Sequence, residues 1–166
     1  MRWRMIAGLM LICIVLILPG AVNGAAPDKN SSVTLMRGMC YGTCPVYSVT
    51  LSENGTVIYD GEMYVKETGV RNGTINASVF TRLMDQVDMV GVFKMKDTYT
   101  GYDITDMPSA TLTIQEGNIT KRVEHYYGDL NAPITLTELE DLVDQSVNIT
   151  QWTTPYQMEN IGSEEI

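Results

Sequence analysis

The sequence predicts an α+β domain in which two helices pack on one face of an antiparallel sheet. Two pairs of segments with alternating apolar and polar residues predict hairpins, and two further segments have apolar residues at helical spacing. Strands, helix, strands and helix follow one another along the chain, which favours pairing through short turns over long parallel crossovers. About 140 residues follow the N-terminal segment, enough for one domain with its own core.

The N-terminal segment has the form of a secretory signal. Arg2 and Arg4 precede an apolar run that ends at Leu18, and small residues follow. The run is too short for a membrane anchor, so we expect residues 1–24 to be removed by cleavage before Ala25. A signal that is kept uncleaved as an anchor is the alternative.

The chain that remains after cleavage is divided by composition into three parts. They are a disordered leader at 25–31, a single domain at 32–152 and a flexible tail at 153–166. Removing the two arginines of the signal from the 11 Lys and Arg leaves 9 against 20 Asp and Glu, a formal charge of −11. Such acidity argues against nucleic acid and anionic membrane surfaces as partners. We expect a secreted or cell-surface protein without a membrane span after cleavage.

The first half of the domain predicts a meander of strands. The strands are expected at 32–36, 46–52, 56–59 and 62–65, with turns at 53–55 and 60–61 and a loop at 68–73. The alternation is clearest in the second strand, where Tyr47, Val49 and Leu51 share one face. The first turn, Glu53-Asn54-Gly55, carries the strongest short-range hairpin pattern.

The second half predicts a helix, a hairpin and another helix. From Asn76 onward apolar residues follow a 3.6-residue period, which predicts a helix at 77–90 ending at Gly91. An irregular segment, a hairpin and a second helix are then expected at 92–108, 110–127 and 136–147. Thr135 or Thr137 is predicted to cap the second helix.

A short cysteine loop precedes the clearest strand. Cys40 and Cys44 are the only cysteines outside the signal, which contains Cys13. Gly42 lets so short a loop close tightly, and Pro45 pushes the residue before it toward an extended conformation. Because an exported chain leaves the reducing compartment, we predict a structural disulfide between these two cysteines.

Asparagine use predicts a glycoprotein. Six of the nine asparagines begin Asn-x-Ser/Thr triplets, where the abundance of Ser and Thr would place only about one or two. The six are Asn30, Asn54, Asn72, Asn76, Asn118 and Asn148. A surface that carries N-linked glycans would explain the excess. The alternative for the Asn-Gly-Thr triplets at 54–56 and 72–74 is a turn without a glycan.

Several of these segments together resemble a family of exported prokaryotic domains of unknown function. The family has a C-[FY]-G-x-C-P-x-Y motif, a Gly-Thr hairpin and a T-D-x-P element. The matching segments are 40–47, 54–57, 105–108, the 139–144 helix and Trp152. The resemblance covers 32–152 and implies an exported α+β module without an assigned activity. Within the T-D-x-P element, Asp106 and Pro108 are expected to form a turn.

His125 is the only histidine, and it lies on the same strand face as Ile119 and Val123, which is typical of a structural histidine. The Cys-x-x-x-Cys-Pro motif with a distant histidine also resembles the thioredoxin-like Sco copper chaperones. Two thiolates and an imidazole suit copper. In that fold a helix follows the second cysteine, where this sequence predicts a hairpin. A copper-binding or thiol-redox module using Cys40, Cys44 and His125 is therefore the alternative hypothesis.

The sequence contains no nucleophile elbow, zinc-protease motif, phosphate loop or complete calcium loop. A Cys-His enzyme would need a free thiolate where a second cysteine lies four residues away in an oxidising compartment. We therefore expect a non-enzymatic binding or structural module without a cofactor. Its partner would be a protein or a small ligand at the cell surface.

Overall fold

The computed structural model of the protein describes residues 31–153. The predicted signal at 1–24, the leader as far as Asn30 and the tail beyond Thr153 lie outside the described residues. In the part of the chain that is described, no helix has both the length and the apolar character needed to cross a membrane.

Seven strands and two helices make up the domain. The strands are β1 Ser32–Arg37, β2 Val46–Ser52, β3 Thr56–Met63, β4 Gly69–Thr74, β5 Thr98–Tyr99, β6 Ser109–Glu116 and β7 Ile119–Tyr126. The helices are α1 Ala77–Val90 and α2 Ile134–Ser146, and short 3-10 turns lie at Val92–Lys94 and Ile149–Gln151. The strands form one sheet in the order β4-β3-β2-β1-β6-β7-β5, in which only the pair β5–β7 is parallel. The predicted α+β class is confirmed.

The core lies between one face of the sheet and the two helices. In the central strand β1, Val33 and Leu35 are fully buried, whereas Thr34 between them points to the open face and hydrogen-bonds Thr50 of β2. The helices close the core with Phe80, Leu83, Val87, Leu136, Leu139 and Val143. The period-2 pattern of the strands and the 3.6-residue pattern of the helices therefore meet in one apolar layer.

Helix α1 begins and ends where the sequence predicts, whereas α2 has a different capping residue from the one predicted. Asn76 caps α1 by accepting the backbone N–H of Ser78 at 2.9 Å, and Gly91 ends it in the left-handed conformation with φ 70°. The prediction that Thr135 or Thr137 caps α2 is wrong, because both lie inside the helix. Pro133 occupies the cap position, where its missing N–H costs no helical hydrogen bond.

The edge of the sheet at β4 differs from the predicted turn and loop. Strand β3 continues through Asp60 and Gly61, and residues 69–74 pair with it where a loop was expected. The strand contains a glycine, Gly73, where a Cβ atom would lie 3.1 Å from the Trp152 ring. The same ring stacks on Tyr59 of β3 with centroids 4.9 Å apart. A residue that weakens a strand by propensity therefore lies in close contact with the Trp152 ring here.

Candidate functional site

Strand β1 ends in a half-buried arginine that contacts helix α2. Arg37 follows Val33 and Leu35 on the inward face and lies directly opposite Tyr47 of β2. Its Nε and Nη2 atoms donate to one carboxylate oxygen of Asp144 at 3.0 and 2.8 Å. Nη2 also donates to Asp141 at 3.0 Å. The guanidinium therefore joins the central strand to two successive turns of α2.

A second carboxylate on α2 extends this network toward β7. Glu140 has no exposed surface. The Tyr127 hydroxyl donates to its Oε2 at 2.6 Å, and Nδ1 of His125 lies 3.1 Å from both carboxylate oxygens. Arg37 donates in turn to the Tyr127 hydroxyl, and the Tyr47 hydroxyl donates to Asp144 at 2.8 Å. We call Arg37, Tyr47, His125, Tyr127, Glu140, Asp141 and Asp144 the charged network.

Burial and neighbouring charges shift the titration of this network. Burial raises the pKa of Tyr47 and of Tyr127, and the carboxylates next to them act in the same direction while Arg37 opposes. Burial also raises the pKa of Asp144, although Arg37 and the Tyr47 hydroxyl act to lower it. Burial alone would lower the pKa of Arg37, but Asp144 and the two tyrosines raise it by more. Both hydroxyls therefore remain protonated donors, and Arg37 remains charged.

The buried polar atoms of the network are bonded within it. The carboxylates of Glu140 and Asp144 each accept at least two bonds from neighbouring side chains, and no buried side-chain N or O atom among residues 31–153 lacks a partner. Removing one member would leave a buried charge without its partner, which is strongly destabilising.

A cavity of about 320 Å³ lies beside the charged network. Arg37, Tyr47, Tyr127 and Asp141 line its inner side, and Cys44 with Pro45 brings the cysteine loop to its rim. A second cavity of about 330 Å³ lies on the other side of Ser109, which lines both. The volumes fall at the small end of ordinary ligand sites.

The two loops that frame these cavities come from distant parts of the sequence. The backbone N–H of Tyr41 donates to the carbonyl of Asp106 at 3.3 Å, which joins the cysteine loop to the T-D-x-P element. Asp106 has φ 66°, a left-handed conformation that aspartate tolerates better than most residues. The Tyr126 hydroxyl accepts the N–H of Met107 at 3.2 Å, and the Tyr126 ring packs on Tyr102 at 4.8 Å.

These loops expose large apolar side chains at one end of the molecule. Tyr41 is 87% exposed, Tyr102 77% and Met39 64%, and Ile104 and Met107 are also exposed. Met39, Tyr102 and Met107 line the second cavity together, so they form one surface. We call residues 39–44 and 100–108, with the two cavities between them, the loop surface.

Most of the described domain matches a known protein family. Residues 31–147 match the model of a family described as a domain of unknown function, DUF6438. The chain belongs to the DUF6438 family. The match spans both motif loops and the charged network, so the DUF6438 domain contains the whole candidate site. No curated protein matches the chain.

Membership in DUF6438 confirms the expected kind of family, a domain of unknown function. Its C-[FY]-G-x-C-P-x-Y and T-D-x-P motifs and its prokaryotic origin stay predictions. Cys40 and Cys44 lie at disulfide distance, with Cα atoms 5.8 Å apart, and Gly42 between them has φ 153°, a conformation that L side chains rarely adopt. This DUF6438 geometry is compatible with the predicted bridge.

The structure does not bring the three predicted copper ligands together. Cys40 and Cys44 lie at disulfide distance from each other, and His125 is 3% exposed with Nδ1 facing Glu140. Among residues 31–153, no group of three or more His, Cys, Asp and Glu side chains is placed to hold a metal ion. These residues therefore do not fit a copper site as they stand in this DUF6438 domain.

Sequence reasoning missed most of the charged network. Glu140 lies within the buried stripe of α2, one residue after Leu139 and three before Val143, and Arg37 continues the inward alternation of β1. A charged residue at such a position is the signal that indicates a buried pair. The sequence cannot show which arginine meets which carboxylate, because they lie more than 100 residues apart.

The charged network makes a prediction for stability. Replacing Arg37 with Met should lower the free energy of unfolding by about 3–5 kcal/mol, because buried Glu140 and Asp144 lose their shared partner. Arg71→Met is the matched control, since it removes an exposed pair with Glu67 and should cost less than about 1 kcal/mol. Urea denaturation of both variants measures the difference. Equal losses would contradict the structural role of Arg37.

The two buried hydroxyls make a prediction for alkaline pH. A free tyrosine ionises near pH 10, and the pKa values of Tyr47 and Tyr127 are raised above this. The stability that they contribute is therefore complete below about pH 10 and is lost as the pH rises further. In a titration followed by tyrosinate absorbance, part of the signal should appear only with unfolding.

Replacing Tyr47 and Tyr127 with Phe should reduce this delayed absorbance. Tyr41→Phe is the control, because Tyr41 is exposed and lies outside the charged network. A delayed signal that is unchanged in the double variant would show that other tyrosines account for it.

Proposed function

We propose that this DUF6438 domain is an exported, non-enzymatic binding module that contacts a protein partner through its loop surface. The observation that carries the proposal is the hydrogen bond between Tyr41 and Asp106, which brings the two motif loops into one surface. Tyrosine and methionine are enriched at protein interfaces, and the loop surface exposes both. The cavities between the loops have the size to accept side chains of the partner.

The charged network supports this function by fixing the frame of the loop surface. Arg37 lies three residues before Cys40, and Tyr47 lies three residues after Cys44. Both are held to Asp144 of α2, so the two ends of the loop are anchored to one carboxylate. A surface that is ordered before binding loses less conformational entropy when the partner docks.

Export and a structural disulfide belong to the same proposal. The signal-like segment at 1–24 and the absence of cysteines other than Cys40 and Cys44 after it support an oxidising destination. A bridge between these two would hold Met39 and Tyr41 in place beside Asp106. The bridge would act on the shape of the loop more than on the stability of the domain, because it closes a short loop.

Site-specific cross-linking on the host cell tests the binding surface. A photoactivatable phenylalanine analogue replaces Tyr41, and in a matched variant it replaces Met89, which is 74% exposed on α1. After illumination, position 41 should give a discrete adduct of higher mass that position 89 does not. The absence of an adduct at 41, or the same adduct at both positions, would contradict the proposal. An adduct of twice the chain mass would identify a second copy as the partner.

The disulfide has a separate test. Replacing Cys40 and Cys44 together with Ser should lower the free energy of unfolding by about 2 kcal/mol and leave the circular dichroism spectrum unchanged. Reduced wild-type protein is the control and should lose the same amount. The copper alternative expects reduced protein to bind one Cu(I), with binding at least about tenfold weaker in His125→Asn, which keeps an N–H for Glu140. Tight binding of Cu(I) that depends on His125 would contradict a purely structural role for the two cysteines.

A further inference from the structure

Five of the six Asn-x-Ser/Thr triplets lie within the described residues, and all five asparagines are exposed. They are Asn54, Asn72, Asn76, Asn118 and Asn148. Exposure alone does not separate an acceptor for a glycan from an ordinary turn residue. The local geometry separates four of these triplets into two groups, and the fifth, at Asn118, lies in the turn between β6 and β7.

In three triplets the asparagine carbonyl is bonded to the residue two positions ahead. Asn54 Oδ1 accepts the backbone N–H of Thr56 at 2.9 Å, and Asn76 Oδ1 accepts that of Ser78 at 2.9 Å. In the third, Asn148 Oδ1 accepts the Thr150 hydroxyl at 3.0 Å. The bonded atom is the oxygen in each case, so the exposed side chain presents its Nδ2 atom to solvent. The turn also holds the Ser or Thr close to the amide.

The triplet at Asn72 has the opposite geometry. Asn72 lies inside strand β4, paired with Ile58 of β3. In an extended strand the side chains of residues i and i+2 stand roughly 6.5–7 Å apart, so the Thr74 hydroxyl cannot reach the Asn72 amide. Bending this triplet would break the edge of the sheet. Asn72 is therefore an exposed acceptor sequence in an unfavourable conformation.

From this contrast we infer that Asn54, Asn76 and Asn148 are N-glycosylation sites that are modified on the folded domain. The donor would be a lipid-linked saccharide phosphate. The asparagine Nδ2 forms a bond to the anomeric carbon, and the bond from that carbon to the phosphate oxygen breaks with its electron pair staying on the phosphate. The amide proton passes to a base of the transferase. The inference rests on the proposed export, because such donors face the outside of the membrane.

The positions of these sites leave the loop surface accessible. Asn54 and Asn76 lie at the end of the sheet opposite to that surface, next to each other, because Ile75 donates its backbone N–H to Gly55. Asn148 follows the last turn of α2. None of the three lines either cavity of the loop surface. Glycans there would cover other parts of the domain and leave the binding surface free.

Peptide mapping by mass spectrometry of the chain from its natural host tests the inference. Peptides that contain Asn54, Asn76 and Asn148 should carry saccharide, and the Asn72 peptide should carry markedly less. Asn131 is exposed but begins no triplet, and its peptide should be unmodified. Thr56→Ala should remove the saccharide from Asn54, whereas Thr56→Ser should keep it, because Ser restores the triplet.

The outcomes separate the inference from the proposed export. A chain that has lost residues 1–24 and is unmodified at all three sites overturns the inference alone. A chain that keeps residues 1–24 and carries no saccharide overturns both proposals. Equal occupancy at Asn72 and at the three turn sites overturns selection by the folded geometry.

Discussion

The rest of the structure depends on the burial of the Arg37 guanidinium between the sheet and helix α2. A cation at this depth requires anionic partners, and α2 supplies Asp144, Asp141 and, through the Tyr127 hydroxyl, Glu140. The Coulombic attraction offsets the desolvation of these groups only in a narrow range of geometries. In the observed packing of α2 against the sheet, Arg37 meets both Asp141 and Asp144.

The contacts between the sheet and α2 position the surface at which the motif loops meet. The cysteine loop begins and ends beside residues that are bonded to Asp144, and the 100–108 loop is held against it through Tyr41 and Asp106. A rigid charged layer therefore lies beneath loops that expose tyrosine and methionine. The buried polar atoms of the network are bonded within the described chain, while Tyr41, Tyr102 and Met39 above it are largely exposed. This division between a bonded polar support and an exposed apolar surface supports the proposed binding role.

The outer face of the sheet carries small hydroxyl side chains, with Met36 of β1 and Ile58 of β3 exposed among them. Threonine and serine alternate with the buried residues across β1, β2 and β6, and Thr34 and Thr50 bond to each other across two strands. Small hydroxyl side chains suit a pleated surface and keep it compatible with water.

Much of this fold could be predicted from local sequence patterns. Strand β2, the Asn54-Gly55 turn, helix α1 with its Asn76 and Gly91 ends, and the β6–β7 hairpin are all encoded by neighbouring residues, because their periodicity and caps act over a few positions. Strand β4 could not be predicted, since Gly69 and Gly73 weaken the pattern. The strand forms because β3 supplies backbone partners and Trp152 fills the space above Gly73.

Some features of the candidate site could also be predicted from local sequence, and others could not. Local sequence indicates the cysteine loop, the single histidine and the Asn-x-Ser/Thr triplets, because each is a short segment of chain. The contacts between Arg37 and Asp144, between His125 and Glu140 and between Tyr41 and Asp106 arise in the folded domain. These contacts depend on how α2 and the 100–108 loop return to the sheet, and that path is set by packing of the whole core.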